Sequence, residues 1–148
     1  MESLPGRRSP VSLVLDSSVT LAWLYSDEIT EAIRRVFEAV AEHGAVVPTL
    51  WRLEIANSLT MAARRGRIDR EFRHAALSDL AMLEIMTDPH TDTNAWGQTL
   101  QLADRCGLTV YDAAYLELAL RRRLPLATLD EKLRAGATGC GVELLGKN

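Results

Sequence analysis

Ser12-Leu13-Val14-Leu15-Asp16-Ser17-Ser18-Val19 holds, within eight residues, a short apolar run, an acid that cuts it off and two small polar residues. So short a run, without polar alternation, has the pattern of a strand buried on both faces. Residues 12–15 are therefore read as a strand and residues 19–25 as a brief helix, with Asp16 at the junction. The same alternation recurs down the chain. Strands are expected over 45–47, 84–86, 126–127 and 143–145, and helices over 31–42, 51–65, 70–83, 94–106, 110–122 and 131–135. In the helix over 31–42, Ile33, Val36, Phe37 and Val40 recur at helical spacing and give it one core-facing stripe. Pro48 closes the second strand, Gly66 and Gly107 stop helices, and Asp69 stands where a helix cap belongs. Pro125 permits a strand to start at Leu126 but forbids a helix interior there. Strands alternating with longer helices imply an α/β fold on a mostly parallel sheet.

The chain has 148 residues, the size of one domain: a leader over 1–10, with Pro5, Gly6 and Pro10, and a domain over 11–148. Arg7-Arg8 followed by Val11 to Leu15 imitates a signal peptide, but Asp16 ends the apolar stretch and no small-residue cleavage site follows. No apolar run approaches the ~20 residues of a spanning helix, so no membrane partner is expected. Cys106 and Cys140 form no CxxC pair, which suits a reducing, cytoplasmic setting. His43, His74 and His90 are scattered, which disfavours a histidine-rich zinc site.

Four acids stand out. Asp16 and Asp130 follow the strands over 12–15 and 126–127, and ligands of open α/β sheets gather at such strand ends. Asp112 falls in the first turn of the helix over 110–122. Glu54 sits inside Leu50-Trp51-Arg52-Leu53-Glu54-Ile55-Ala56, where a carboxylate is costly unless a cation or donors compensate it. Each also has a plain structural role open to it. Asp16 and Asp130 fit helix caps, and Thr109-x-x-Asp112 fits a capping box. As a set, four carboxylates suit phosphodiester cleavage, where hard oxygen ligands hold the divalent ions that activate water and stabilise the leaving oxygen. No Ser/His/Asp set or histidine pair competes. Without these four acids the net charge would be +1 rather than −3, so the overall acidity does not exclude RNA.

Four segments carry a family resemblance. Val14-Leu15-Asp16-Ser17-Ser18 resembles the opening strand and aspartate of PIN domains, and Pro48 to Asn57 their proline-to-glutamate helix. Leu108-Thr109-Val110-Tyr111-Asp112-Ala113-Ala114-Tyr115 is similar to their third acidic motif, and Leu126-Ala127-Thr128-Leu129-Asp130-Glu131-Lys132-Leu133 to their fourth. The compact size resembles VapC-type toxins of type II toxin–antitoxin systems. The resemblance implies a three-layer α/β/α fold on four or five strands and a Mg²⁺- or Mn²⁺-dependent endoribonuclease that inhibits translation. It also implies an RNA substrate, homodimerisation and a VapB-type antitoxin. Carried over, it makes Asp16, Glu54, Asp112 and Asp130 both catalytic residues and metal ligands, with Thr128 and Ser17 supporting them, for example by orienting water. The alternative is a catalytically silent PIN-like module that binds RNA or protein. A phosphoacceptor domain using Asp16 ranks last, because residue 18 is serine.

Arg64-Arg65-x-Arg67 and Arg121-Arg122-Arg123 suggest phosphate contacts, although both end helices, where positive charge complements the dipole. Trp23, Trp51 and Trp96 suit either base stacking or burial, burial being the commoner state, and Trp23 with Leu21, Leu24 and Tyr25 also suits a groove for a partner helix. Gly136-x-x-Gly139-x-Gly141 reads as a turn.

Overall fold

The computed structural model describes residues 12–148; the leader expected over 1–10 lies outside them. Five short strands make one sheet: β1 (Val14–Leu15), β2 (Ala45–Val47), β3 (Ile85–Thr87), β4 (Leu126–Ala127) and β5 (Leu144–Leu145). Their order is β3-β2-β1-β4-β5, and every pairing is parallel. Val14 pairs with Val46 on one side and Leu126 on the other, which places β1 at the centre. Successive strand residues face opposite sides of a sheet. Leu13, Val14 and Leu15 are nevertheless all fully buried, as are Ala45 and Val47, so helices cover both faces. The expected three-layer α/β/α arrangement is present, with five strands.

The helices are α1 (Ser17–Leu24), α2 (Glu31–His43), α3 (Trp51–Arg64), α4 (Arg70–Leu80), α5 (Thr91–Asn94), α6 (Gln98–Cys106), α7 (Val110–Arg122) and α8 (Glu131–Gly139). Thr30, Asp69, Thr109 and Asp130 each accept an amide of the first turn of α2, α4, α7 and α8 respectively. Ile33, Val36 and Val40 of the α2 stripe are buried, while Phe37 packs edge-on against Trp23 with ring centroids 5.2 Å apart.

Three expectations need correction. The helix expected over 94–106 begins only at Gln98; Asn94 ends a separate short helix, and Gly97 between them (φ −111°, ψ −105°) is not helical. The helix after Asp69 stops at Leu80 rather than Leu83, because Ala81 to Leu83 turn into β3. Gly136 and Gly139 are not a turn but part of α8, which runs beyond 135. The bare Gly136 Cα lets α8 settle against its neighbours. A Cβ there would lie 3.4 Å from both Cys106 Cβ and Leu108 Cδ1.

From β1 the chain winds outward to β2 and β3, then returns to place β4 on the opposite side of β1. Such a reversal opens a crevice beyond the carboxyl ends of the two central strands. Asp16 follows β1 and Thr128 to Asp130 follow β4, so both loops border that crevice.

Candidate acidic site

Asp16 occupies the N-cap position of α1, yet its side chain makes no cap bond. The carboxylate turns instead toward the loop after β4. Oδ2 accepts the Ser18 hydroxyl at 2.6 Å and the Thr128 hydroxyl at 2.7 Å. Both hydroxyls also accept backbone amides, Ser18 from Leu129 (2.9 Å) and Thr128 from Asp130 (3.1 Å). These bonds tie residues 16–18 to residues 128–130 across more than a hundred positions. Burial drives the Asp16 pKa up, and the hydroxyls of Ser18 and Thr128 with the amides of Ser17 and Ser18 offset only part of that rise.

Glu54 projects from the first turn of α3 and is half-buried. Its Oε1 accepts the phenol of Tyr115 at 2.5 Å, a contact between residues 61 positions apart. Its pKa is also raised, first by burial and then by the charges of Asp16 and Asp112, while the Tyr115 and Ser17 hydroxyls pull it down. Asp112 lies in the first turn of α7, where Thr109 Oγ1 accepts its amide at 3.1 Å. Burial, then Asp130 and Asp16, push its carboxyl up. Asp130 is exposed and caps α8 through Oδ1, which accepts the Leu133 amide at 2.9 Å. The structural role open to Asp130 is thus filled by one oxygen, whereas Asp16 commits its Oδ2 to the Ser18 and Thr128 hydroxyls.

The four expected acids are linked: the charges of Asp16 and Asp112 bear on Glu54, those of Asp130 and Asp16 bear on Asp112, and the Asp130 amide donates to the Thr128 hydroxyl that holds Asp16. Among the described residues no three acidic, histidine or cysteine side chains converge closely enough to hold one ion. The charges are coupled in field without forming a closed coordination shell, as expected of like charges that lack a counter-charge. Among the described residues no lysine or arginine pairs with any of the four. The fold treats its other buried acids differently: Asp88 and Glu117 share Arg121, which contacts them at 2.6 and 2.7 Å. Hard carboxylate oxygens without a cationic partner suit Mg²⁺ or Mn²⁺.

Thr128 supports Asp16 directly. Ser17 bears on Glu54, and Ser18, not singled out from the sequence, holds Asp16. Tyr115 was also missed. It lies three residues after Asp112, on the same stretch of helix, inside an apolar run where a phenol needs a partner. Arg121 is not a solvated cap but the centre of the Asp88–Glu117 pair, and Arg67 binds Glu28 (2.8 Å) and covers the Tyr25 ring (3.9 Å). Trp51 is buried, its Nε1 donating to Thr20 Oγ1 at 3.2 Å, and Trp23 donates to Ile33 O at 3.3 Å. Trp96 is 93% exposed, contrary to the burial expected of a tryptophan, because it sits at the α5–α6 break.

A parallel sheet with an acidic crevice where its strand order reverses defines a class of α/β domain. Comparison with known proteins narrows it: the PIN domain family model matches residues 13–138. The chain belongs to the PIN domain family. It is 31% identical over 123 residues to "Ribonuclease VapC3" of Pyrobaculum aerophilum, covering 83% of this chain and 92% of that one. To "Exonuclease VapC9" of the same organism it is 34% identical over 87 residues, covering 58% of this chain and 62% of that protein. The fold is similar to the crystal structure of PAE2754 from Pyrobaculum aerophilum, with TM-score 0.67, 25% identity and coverage of 97% and 90%. It is also similar to a chain of a toxin–antitoxin complex from Klebsiella pneumoniae, with TM-score 0.59, 17% identity and coverage of 86% and 94%. Within its family the chain is VapC-like.

Proposed function

We propose that this chain is the toxin of a type II toxin–antitoxin pair and a divalent-metal-dependent endoribonuclease, inhibiting translation by cutting RNA. One observation carries the reading. Asp16, Glu54, Asp112 and Asp130 come from four separate parts of the chain, neighbouring acids of the set make ionisation of Glu54 and Asp112 costlier, and none of the four has a cationic partner among the described residues. The relatives named as nucleases support it.

In this reading the four acids hold Mg²⁺ or Mn²⁺, which when bound supplies a Lewis acid and an acidified water. Ser18 and Thr128 keep Asp16 turned into the crevice, and Tyr115 keeps Glu54 there. One of the four carboxylates accepts the proton of the attacking water. The uncompensated acids repel an RNA phosphate unless cations are present, so substrate approach and metal loading are linked. A VapB-type antitoxin is the proposed partner, supported by the toxin–antitoxin complex among the structural neighbours. A homodimer is supported by the exposed indole of Trp96, which a second copy would cover. The free thiols of Cys106 and Cys140 support a cytoplasmic setting.

The test is cleavage of varied RNAs by purified protein with Mg²⁺ or Mn²⁺. Asp16→Asn and Asp112→Asn are each expected to cut cleavage by at least about a hundredfold while the far-UV circular dichroism spectrum is unchanged. Undiminished cleavage after chelation would reject the metal-dependent reading. Full metal binding with no product from any RNA would return the chain to a non-cutting, RNA- or protein-binding module.

A further inference from the structure

The chain's two cysteines take no part in the acidic site and stand far apart in sequence, each at a helix end. Cys106 is the last residue of α6, and Cys140 follows the last residue of α8. The fold brings those ends together. A Cβ placed on Gly136, one turn before Cys140, would lie 3.4 Å from Cys106 Cβ. The Cys140 amide still donates to the Gly136 carbonyl at 3.2 Å, so Cys140 stands one helical turn beyond that contact, on the same face. Arg105 joins the two side chains. Its Nη2 donates to Cys140 Sγ at 3.5 Å and the guanidinium also bonds Cys106, contacts that hold the Arg105 pKa up. Both sulfurs therefore lie within reach of one guanidinium. Each thiol is half-buried, packed against the core with part of its surface still open.

We propose that Cys106 and Cys140 form a peroxide-responsive modification site, a dithiol that the folded chain closes reversibly into one intramolecular disulfide. In reducing compartments such bonds are transient and redox-sensing rather than permanent staples. The reaction runs in two balanced steps. One thiolate attacks an oxygen of hydrogen peroxide, the O–O bond breaks, and the sulfur is oxidised to a sulfenic acid as hydroxide leaves. The other thiol then attacks the sulfenic sulfur, forms the S–S bond and releases water. Two thiols and one peroxide thus give one disulfide and two waters. A dithiol reductant reverses the step by exchange, returning two electrons and two protons and becoming a disulfide itself. The bridge closes the loop from residue 106 to residue 140, which carries α7, β4 and the start of α8, and with them Asp112, Thr128 and Asp130. Closing a loop of that length restricts the unfolded chain, so bridging stabilises the fold.

Because the chain has no other cysteine, the outcome can be read by mass. The full chain is reduced, freed of reductant and treated with equimolar hydrogen peroxide under native conditions. Remaining thiols are then alkylated, and intact masses and peptide maps are recorded without reductant. The wild type is expected as a monomer lighter by two hydrogens, with neither cysteine alkylated, and dithiothreitol restores both thiols. Its melting temperature rises by roughly 5–15 °C on oxidation. That of Cys140→Ala does not move, and its Cys106 stays alkylatable or is trapped by dimedone as a sulfenic acid. Two alkylated thiols in the treated wild type, separate oxidation of each sulfur, or a covalent dimer would each overturn the proposal. So would a bridge that forms only in denaturant or that lowers the melting temperature. Should Cys140→Ala fail to fold, the wild-type peptide map, with Cys106 and Cys140 in one linked pair of peptides, decides the matter alone.

Discussion

Replacing Asp16 with asparagine should stabilise the protein without metal and destabilise it, relative to wild type, with metal. Asparagine keeps the shape and a side-chain oxygen able to accept from Ser18 and Thr128, and removes the charge. Two effects oppose. Relief of a buried carboxylate without a cation gains about 1–3 kcal/mol. Weakening two charge-assisted hydroxyl bonds to neutral ones costs somewhat less than 1 kcal/mol each. Burial is the largest influence on this carboxyl and leaves its pKa raised despite both hydroxyls, so relief wins; the two ranges above put the net gain on the order of 1 kcal/mol. For a chain of this size that is a rise of roughly 2–4 °C in the melting temperature in chelator. Mg²⁺ at about a hundred times its Kd adds about 2.7 kcal/mol to the wild type and little to the variant, so the order of the two melting temperatures reverses.

The pH dependence has a definite sign. An acid whose pKa is raised by folding contributes stability that is full below its ordinary value, 3.8 for Asp16, and is lost as pH rises through the folded value. Wild-type stability in chelator should fall with rising pH over that window. Asp16→Asn flattens the fall in part, because Glu54 and Asp112 are raised in the same direction and still titrate. Melts followed by circular dichroism, with chelator and with Mg²⁺, provide the check. A variant less stable than wild type in chelator by 1 kcal/mol or more would mark Asp16 as an ordinary, satisfied buried acid and refute the reasoning.

Arg121→Gln should cost about 3–5 kcal/mol, since it strands Asp88 and Glu117, which are 1% and 4% exposed; thermal melts should drop by roughly 6–20 °C. Burial pushes the Asp88 pKa up but the Arg121 bonds outweigh it and hold it low, so its contribution is present above 3.8 and is lost as pH falls through the depressed value. In the variant that slope should reverse, and equal slopes in melts at a series of acid pH values would contradict the pairing. Gly44→Ala should destabilise by about 1–3 kcal/mol in urea titration, because φ is +79° and the new Cβ would lie 2.7 Å from the Glu84 carbonyl oxygen. Trp51→Phe should cost about 1 kcal/mol or more in the same titration, from the lost Nε1 bond to Thr20 and the lost ring volume.

What was legible in the sequence divides by the range of the interaction. β2 and α7 have the expected bounds because their signals are local: Pro48 beyond one, the Thr109 cap ahead of the other. The α8 glycines misled because Gly136 serves packing against Cys106 and Leu108, residues about 30 positions away, rather than the local backbone. The acids were legible as types at strand and helix ends, but what distinguishes them lies in partners no spacing reveals. Asp16 could have been a cap, but the Ser18 hydroxyl and that of Thr128, 112 residues away, together hold its carboxylate aside. Glu117 and Arg121, one helical turn apart in an apolar stretch, were the readable half of an ion pair whose other half, Asp88, is 33 residues from Arg121. That contrast carries the functional argument. A fold that brings an arginine to two of its buried acids, but hydroxyls and amides to Asp16 and hydroxyls to Glu54, leaves at the latter two a charge that an added cation is suited to balance.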